Sequence, residues 1–179
     1  EVTCRLGMAG YDRELGNSIF FENGLHATSI TGTMGAAVAS AILLGASEEE
    51  IASAIGIAAS MGAGLLEANR TGGTVKRLHC GWAAHAGVVA AQSAKAGITG
   101  PPTVLEGRFG FLHAFLGDRA VAHEITDNLG EQWVLPGLFY KPYPCNHFTH
   151  AGIDAARELR KMGISPEVIE SITLGVPTP

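Results

Sequence analysis

Lysine and histidine recur at three places where the chain changes character: Leu25-His-Ala-Thr-Ser-Ile-Thr31, Lys76-Arg-Leu-His79 and Lys141-Pro-Tyr-Pro-Cys-Asn-His-Phe-Thr-His150. Each places a cation or an imidazole where a helix or a turn begins. Against a background in which only 16% of residues are charged, this grouping suggests a pocket for a polyanionic small molecule. His26 stands just before Thr28, Ser29 and Thr31, any of which can cap the helix that follows. A histidine at a helix start beside hydroxyls is well placed to move a proton. The plainer alternative is an imidazole donating to a loop carbonyl.

Lys76 follows the break Thr71-Gly-Gly-Thr74 and opens an alanine-rich helix. Helix N-termini and glycine loops present free N–H groups to anions, and a lysine there adds a point charge. Gly-Lys-Ser/Thr is absent, so this is not a P-loop. His79, three residues on, shares the helical face of Lys76 and reads more readily as a satisfied buried imidazole than as a catalyst. Lys141 lies between Tyr140 and Pro142 with Pro144 close behind, so prolines stiffen its turn. An ordinary solvated lysine is the competing reading of both cations.

Cys145 beside His147 and His150 brings a thiol nucleophile to mind, but no residue pattern supplies a base in the right geometry, and Cys145 reads as a small apolar filler. His79 and His85 are six residues apart, without the i,i+4 spacing or carboxylates of a metal site. His113 and His123 read as structural, Trp82 and Trp133 as packing.

The elements that position these residues follow from pattern. Residues 1–25 read as a helix remnant and a loop, and Ser29 to Leu44 as a helix ending at Gly45. Ser47-Glu-Glu-Glu50 is a capping box for a helix running to Met61. A helix from Lys76 or Leu78 reaches Lys95, with Gly97 as its C-terminal cap. Short helices are expected within 106–115 and 120–129, a strand or extended crossing over Trp133–Tyr140, a helix over Asn146–Lys161 stopped by Gly163, and a strand over Ile172–Val176. This predicts a mostly α fold: a helical bundle-like domain over 1–137, then the start of an α+β lid domain over 138–179.

Composition bounds the function. The chain has 179 residues, 46% of them hydrophobic, and a net charge of −5 without any basic run, which argues against nucleic acid or an anionic membrane surface as partner. The apolar stretch Ile30–Ala46 falls short of the roughly 20 residues a membrane span needs. Three scattered cysteines suggest neither disulfides nor a zinc site, so a cytoplasmic setting is expected. The 24 glycines sit largely inside apolar, alanine-rich segments, which predicts helices packed closely across short side chains. A first residue other than Met and a finish on Val176-Pro-Thr-Pro179 suggest a portion of a longer polypeptide.

Taken in order, these segments resemble the MmgE/PrpD family, which includes 2-methylcitrate dehydratase, cis-aconitate decarboxylase and iminodisuccinate epimerase. The similarity runs through His26-Ala-Thr, Gly35-Ala-Ala37, Leu43-Leu-Gly45, Ala54-Ile-Gly-Ile-Ala-Ala-Ser60, Lys76-Arg-Leu-His-Cys-Gly-Trp-Ala-Ala84, Gly97-Ile-Thr-Gly-Pro101, Leu105-Glu-Gly107 and Lys141-Pro-Tyr-Pro-Cys145. The resemblance implies a large helical domain and a smaller lid with the site in the cleft between them, a homodimer, and chemistry without metal or organic cofactor. His26, Lys76 and Lys141 match the family's active-site positions, with Thr28, His79 and His147 as accompanying substrate-binding candidates. The family's upstream helical region, with its acidic residue and further histidine, has no counterpart here, nor do the rest of the lid and the closing helices. The chain alone is therefore expected to be an incomplete catalyst. Some decarboxylases of the family carry histidine at the position of Asn146, and here the histidine stands at His147. The expected function is that of a lyase acting on a small di- or tricarboxylate by proton abstraction, with dehydration of a 2-methylcitrate-like acid foremost. Epimerisation, decarboxylation, or a non-catalytic carboxylate-binding or dimerising role are the alternatives.

Overall fold

A computed structural model describes residues 1–176, in two compact units that divide between Pro136 and Gly137. The first unit contains α1 (Val2–Met8), a two-stranded antiparallel hairpin of β1 (Tyr11–Asp12) and β2 (Asn17–Ser18), α2 (Ile19–Glu22), α3 (Ala27–Leu43), α4 (Glu48–Met61), α5 (Ala68–Thr71), α6 (Lys76–Lys95), α7 (Phe111–Leu116) and α8 (His123–Thr126). The fold is mostly α, as the patterns predict.

Helix α3 is the hub, packed against α1, α4 and α6. Its buried face (Ile30, Met34, Ala37, Ala41) shares one core with Ala54 and Ala58 of α4 and Ala90, Ala91 and Ala94 of α6. The shared core is built mainly of methyl groups, so the helices approach closely. A Cβ placed on Gly87 of α6 would lie 2.5 Å from the Ala36 Cβ and 2.8 Å from the Thr33 carbonyl oxygen. Gly32 faces Ala83 in the same seam, and Ser29 meets His79 further toward the start. Both sequences advance together along this seam, so α3 and α6 run parallel and begin at the same end. Phe20, Phe111 and Phe115 close another part of the core, with ring centroids 5.3 to 6.4 Å apart.

The capping box forms as its sequence dictates: the Ser47 hydroxyl accepts from the Glu50 N–H at 3.3 Å, and the Glu50 carboxylate accepts from the Ser47 N–H at 2.7 Å. Lys95 also bridges to Glu50 at 2.9 Å, tying the end of α6 to the start of α4. The buried Arg5 donates to the Glu1 side chain at 2.8 Å and to the carbonyls of Asp127 and Gln132 at 2.8 and 2.6 Å. Glu1 in turn accepts from the N–H groups of Val134 and Leu135. This pair ties the irregular segment after α8 to the start of α1.

Several local expectations differ from what forms. Helix α3 begins at Ala27, and neither Thr28, Ser29 nor Thr31 caps it. Thr31 and Thr33 donate back to carbonyls one turn earlier, and Ser29 donates to His79 across the interface. The hairpin near Asp12 is unanticipated; Asp12 accepts from the N–H groups of Glu14 and Leu15 and makes the turn. Trp133–Tyr140 forms no strand but a short 3-10 turn at Leu135–Gly137. Trp82 and Trp133 are half exposed or more rather than packed inside.

The second unit contains α9 (His150–Lys161), a 3-10 turn at His147–Thr149 leading into it and another at Pro166–Val168. Gly163 ends the helix region with positive φ. The predicted strand Ile172–Val176 does not form; its side chains are exposed and no described strand lies beside it to accept its hydrogen bonds. The last three residues of the expected lid, Pro177 to Pro179, lie outside the described residues.

Two glycines of α6 give a test with opposite signs. Gly87→Ala puts a methyl into the α3 backbone and is expected to destabilise by about 1–3 kcal/mol. Gly81 has nothing within 4 Å of a Cβ, and Gly81→Ala is expected to stabilise by roughly 0.5–1 kcal/mol through helix propensity. Urea unfolding of both variants measures the pair.

Candidate functional site

The shared end of α3 and α6 carries the chemistry-bearing residues of the first unit. Before α3, the chain at Leu25 pairs with Leu65 as an isolated antiparallel bridge. The His26 N–H donates to the Gly64 carbonyl at 3.0 Å, and the Leu66 N–H donates to the Gly24 carbonyl at 2.8 Å. His26 is therefore held at the N-cap of α3 by backbone on both sides. On α6 the first residue is Lys76, and His79 follows one turn along.

The two histidines meet. Their Nδ1 atoms lie 2.9 Å apart, with ring centroids 5.1 Å apart. One of the two nitrogens must then donate and the other accept. His79 is buried, whereas His26 is partly exposed. The Ser29 hydroxyl donates to the His79 carbonyl at 3.1 Å, stapling the first turns of the two helices together. Gly64 closes the arrangement: a Cβ there would stand 3.2 Å from the His26 Cβ and 3.3 Å from the His79 Nδ1. Its φ of +147° also disfavours any side chain.

Electrostatics follow from this placement. Burial first, then the Lys76 ammonium and the neighbouring His79, push the His26 pKa down from 6.5 to about 4. His26 is thus an uncharged imidazole at neutral pH. The parallel N-termini of α3 and α6 add partial positive charge at the same end. An uncharged base beside a lysine, at the positive ends of two helices, suits a substrate that brings its own negative charge.

The remaining predicted site residues are distributed as follows. Thr28 is exposed on the first turn of α3. Lys141 belongs to the second unit, exposed, with its ammonium donating to the Cys145 carbonyl of its own turn at 3.2 Å. His147, also in the second unit, stacks on His150 at 4.9 Å, with Phe139 edge-on at 5.1 Å. Asn146 caps the short turn by accepting from the Phe148 N–H at 3.0 Å. Cys145 contacts the Thr149 hydroxyl at 3.2 Å. The structure therefore brings His26, Lys76 and His79 together in one unit and places Lys141 and His147 together in the other. Ser29 enters the site through the His79 carbonyl rather than as a helix cap, and Gly64 is a site residue that sequence reasoning passed over. The signal for Gly64 is slight: a second glycine in Met61-Gly-Ala-Gly64, just past a helix end.

A cleft of about 350 Å³ lies elsewhere, lined by residues including Tyr11, Arg13, Arg119 and Glu124. Its arginines are engaged, Arg13 with Glu124 at 2.5 Å and Arg119 with Glu22 at 2.8 Å, so the cleft offers an anion less than the helix ends do. Among the described residues no three His, Cys, Asp or Glu side chains are grouped to hold a metal ion, and no helix is long and apolar enough to cross a membrane.

The helical unit brings histidine and lysine together at paired helix starts, and comparison with known proteins supplies the family. Residues 1–124 match the MmgE/PrpD N-terminal domain, and the chain belongs to the MmgE/PrpD family. It is 31% identical to the cis-aconitate decarboxylase of Aspergillus terreus over 176 residues, covering 95% of this chain and 34% of that protein. It is likewise 31% identical over 167 residues to the cis-aconitate decarboxylase-like protein oryM of Aspergillus oryzae, covering 90% of this chain and 33% of that protein. With the cis-aconitate decarboxylase of Homo sapiens it shares 34% identity over 140 residues, 76% of this chain and 28% of that one. The chain spans about a third of the length of the relatives it matches.

The depressed His26 pKa has a measurable consequence. Between the folded value of about 4 and the ordinary 6.5, the unfolded chain binds more protons, so stability falls as pH drops through that window. In proton NMR titrations His26 is expected to titrate near pH 4 and to move upward in Lys76→Met, which removes the cation. Urea unfolding across the same pH range should show a shallower slope in His26→Gln.

Proposed function

We propose that the protein is a lyase acting on a small di- or tricarboxylate, with His26 moving a proton at a carbon beside a carboxylate. The observation that carries this reading is the uncharged, partly buried His26 imidazole next to the Lys76 cation. Removing a proton beside a carboxylate builds negative charge on that carboxylate, and a fixed ammonium stabilises it. Lys76 fills that role. Lys141, on its stiff turn in the second unit, is proposed as a further carboxylate-binding cation, with Thr28 and His147 as polar contacts to substrate.

An uncharged imidazole is a base, and this favours abstraction of a proton from carbon with loss of a neighbouring hydroxyl, as in dehydration of a 2-methylcitrate-like acid. A second reading is favoured by the relatives, which are named cis-aconitate decarboxylases. In decarboxylation the C–C bond to a carboxylate breaks, CO₂ leaves, and the electron pair is quenched by a proton delivered to carbon. His26 would then have to be charged first, and the carboxylates of a bound substrate favour that charging. Asn146, which caps its own turn, stands where some family decarboxylases carry histidine, and this weighs against decarboxylation and leaves dehydration or epimerisation. The family resemblance further suggests a homodimer in the cytoplasm, working without metal or organic cofactor.

Proton NMR in D₂O on the intact protein, offered cis-aconitate, citrate, 2-methylcitrate and iminodisuccinate in turn, separates these reactions by product. His26→Gln is expected to lower kcat by roughly 10²–10⁴-fold, as loss of a proton-transfer group does. Lys76→Ala is expected to lower kcat/KM by about 10²-fold, as loss of a charge-stabilising donor does. A folded protein that neither turns over nor exchanges deuterium into any of these acids would move the assignment to a carboxylate-binding role.

A further inference from the structure

The contact between His26 and His79 has a meaning beyond packing. Two imidazoles joined Nδ1 to Nδ1 at 2.9 Å share one proton on that axis, and where it sits decides what the opposite nitrogen of each ring can do. A ring carrying the Nδ1 proton has a bare Nε2, which accepts a proton; a ring accepting at Nδ1 carries its own proton on Nε2. The two residues are not equivalent. His79 is buried, with 8% of its surface exposed, behind Gly64 and the first turn of α3, and its carbonyl is tied to Ser29. His26 is the more accessible ring and the one beside Lys76. The member that can meet a substrate is therefore His26, and His79 stands behind it.

We propose that His79 is a positioning residue: its Nδ1 accepts the Nδ1 proton of His26, locking His26 in the tautomer whose Nε2 is bare and directed away from His79 as the proton-transfer atom. This rests on the lyase reading and deepens it. When a substrate C–H bond breaks, the proton forms a new bond at His26 Nε2 and the electron pair passes into the adjacent carboxylate. The resulting imidazolium keeps its Nδ1 proton on His79, which shares the positive charge. The same imidazolium, with its Nε2 proton, is the donor that decarboxylation requires, so the pairing serves either reaction. Glycine at position 64 leaves the contact its room, since a Cβ there would crowd both histidines and meet a positive φ, and the Ser29 staple fixes the backbone that carries His79.

The test compares the intact wild-type protein with His79→Leu and His79→Asn. Asparagine is the conservative variant because its side-chain amide places a hydrogen-bonding atom where Nδ1 of histidine stands. Histidine-selective nitrogen-15 spectra, with His26 assigned by its disappearance in His26→Gln, report which ring nitrogen is protonated. Wild type is expected to show His26 protonated at Nδ1 and bare at Nε2. In His79→Leu the proton is expected to move to Nε2 and kcat to fall roughly 10²-fold with KM unchanged, the size of losing an oriented base. His79→Asn is expected to restore the Nδ1-protonated form and most of kcat. Wild-type His26 protonated at Nε2 overturns the proposal, as does a Leu variant that keeps the wild-type tautomer or kcat, or an Asn variant as impaired as Leu. Should no acid turn over in the wild type while the nitrogen spectra behave as expected, the lyase reading falls and the pairing stands.

Discussion

Everything at the candidate site depends on how closely α3 and α6 lie. Gly87 leaves no side chain between the two backbones where it meets Thr33, Ala36 and Ala37, and Gly32 opposes Ala83 a turn earlier. Larger residues would push the helix axes apart. That shift would separate the first turns as well, where Ser29 reaches the His79 carbonyl and His26 reaches His79 Nδ1. Hydrogen bonds tolerate only a few tenths of an ångström of stretch, so the seam of small residues sets the geometry of the ionisable groups. Low side-chain volume here is a positional device, offsetting the entropy cost that glycine carries inside a helix.

The parallel course of the two helices has an electrostatic result. Antiparallel neighbours would set a positive helix end beside a negative one and largely cancel. Parallel neighbours joined through α4 set both positive ends side by side, and Lys76 adds a full charge. Burial, with the Lys76 ammonium and then His79 adding to it, keeps His26 neutral well below the usual histidine range.

Charged side chains elsewhere serve the fold. Arg5, though buried, is engaged by carbonyls of the segment after α8 and by Glu1, so its charge organises backbone and leaves nothing for an anion. The arginines near the hairpin are likewise paired with carboxylates. Lys76, by contrast, acts on a histidine, helping to lower the His26 pKa. Lys141 is held differently, by the prolines of its turn and the Cys145 carbonyl, in a unit whose helix α9 buries little besides His150.

Local chemistry was legible in the sequence wherever a few adjacent residues decide the outcome. The Ser47–Glu50 capping box, the start of α6 at Lys76 and the positive-φ stop at Gly97 follow from neighbours within one helical turn. His26, Lys76 and His79 could be singled out as residue types at helix starts. The α3 hydroxyls were misread as caps because their partners lie a turn back or across the helix interface, and the Ile172–Val176 alternation marks a potential strand but not a neighbour to pair with. The contact between His26 and His79 joins residues 53 positions apart, and no local pattern encodes it. Sequence by itself determined where the main helices α3, α4 and α6 form and which residues can carry charge or a proton. Tertiary structure decided which of them touch, because register and direction of two packed helices are set by the volumes meeting along the whole seam, a property no single segment contains.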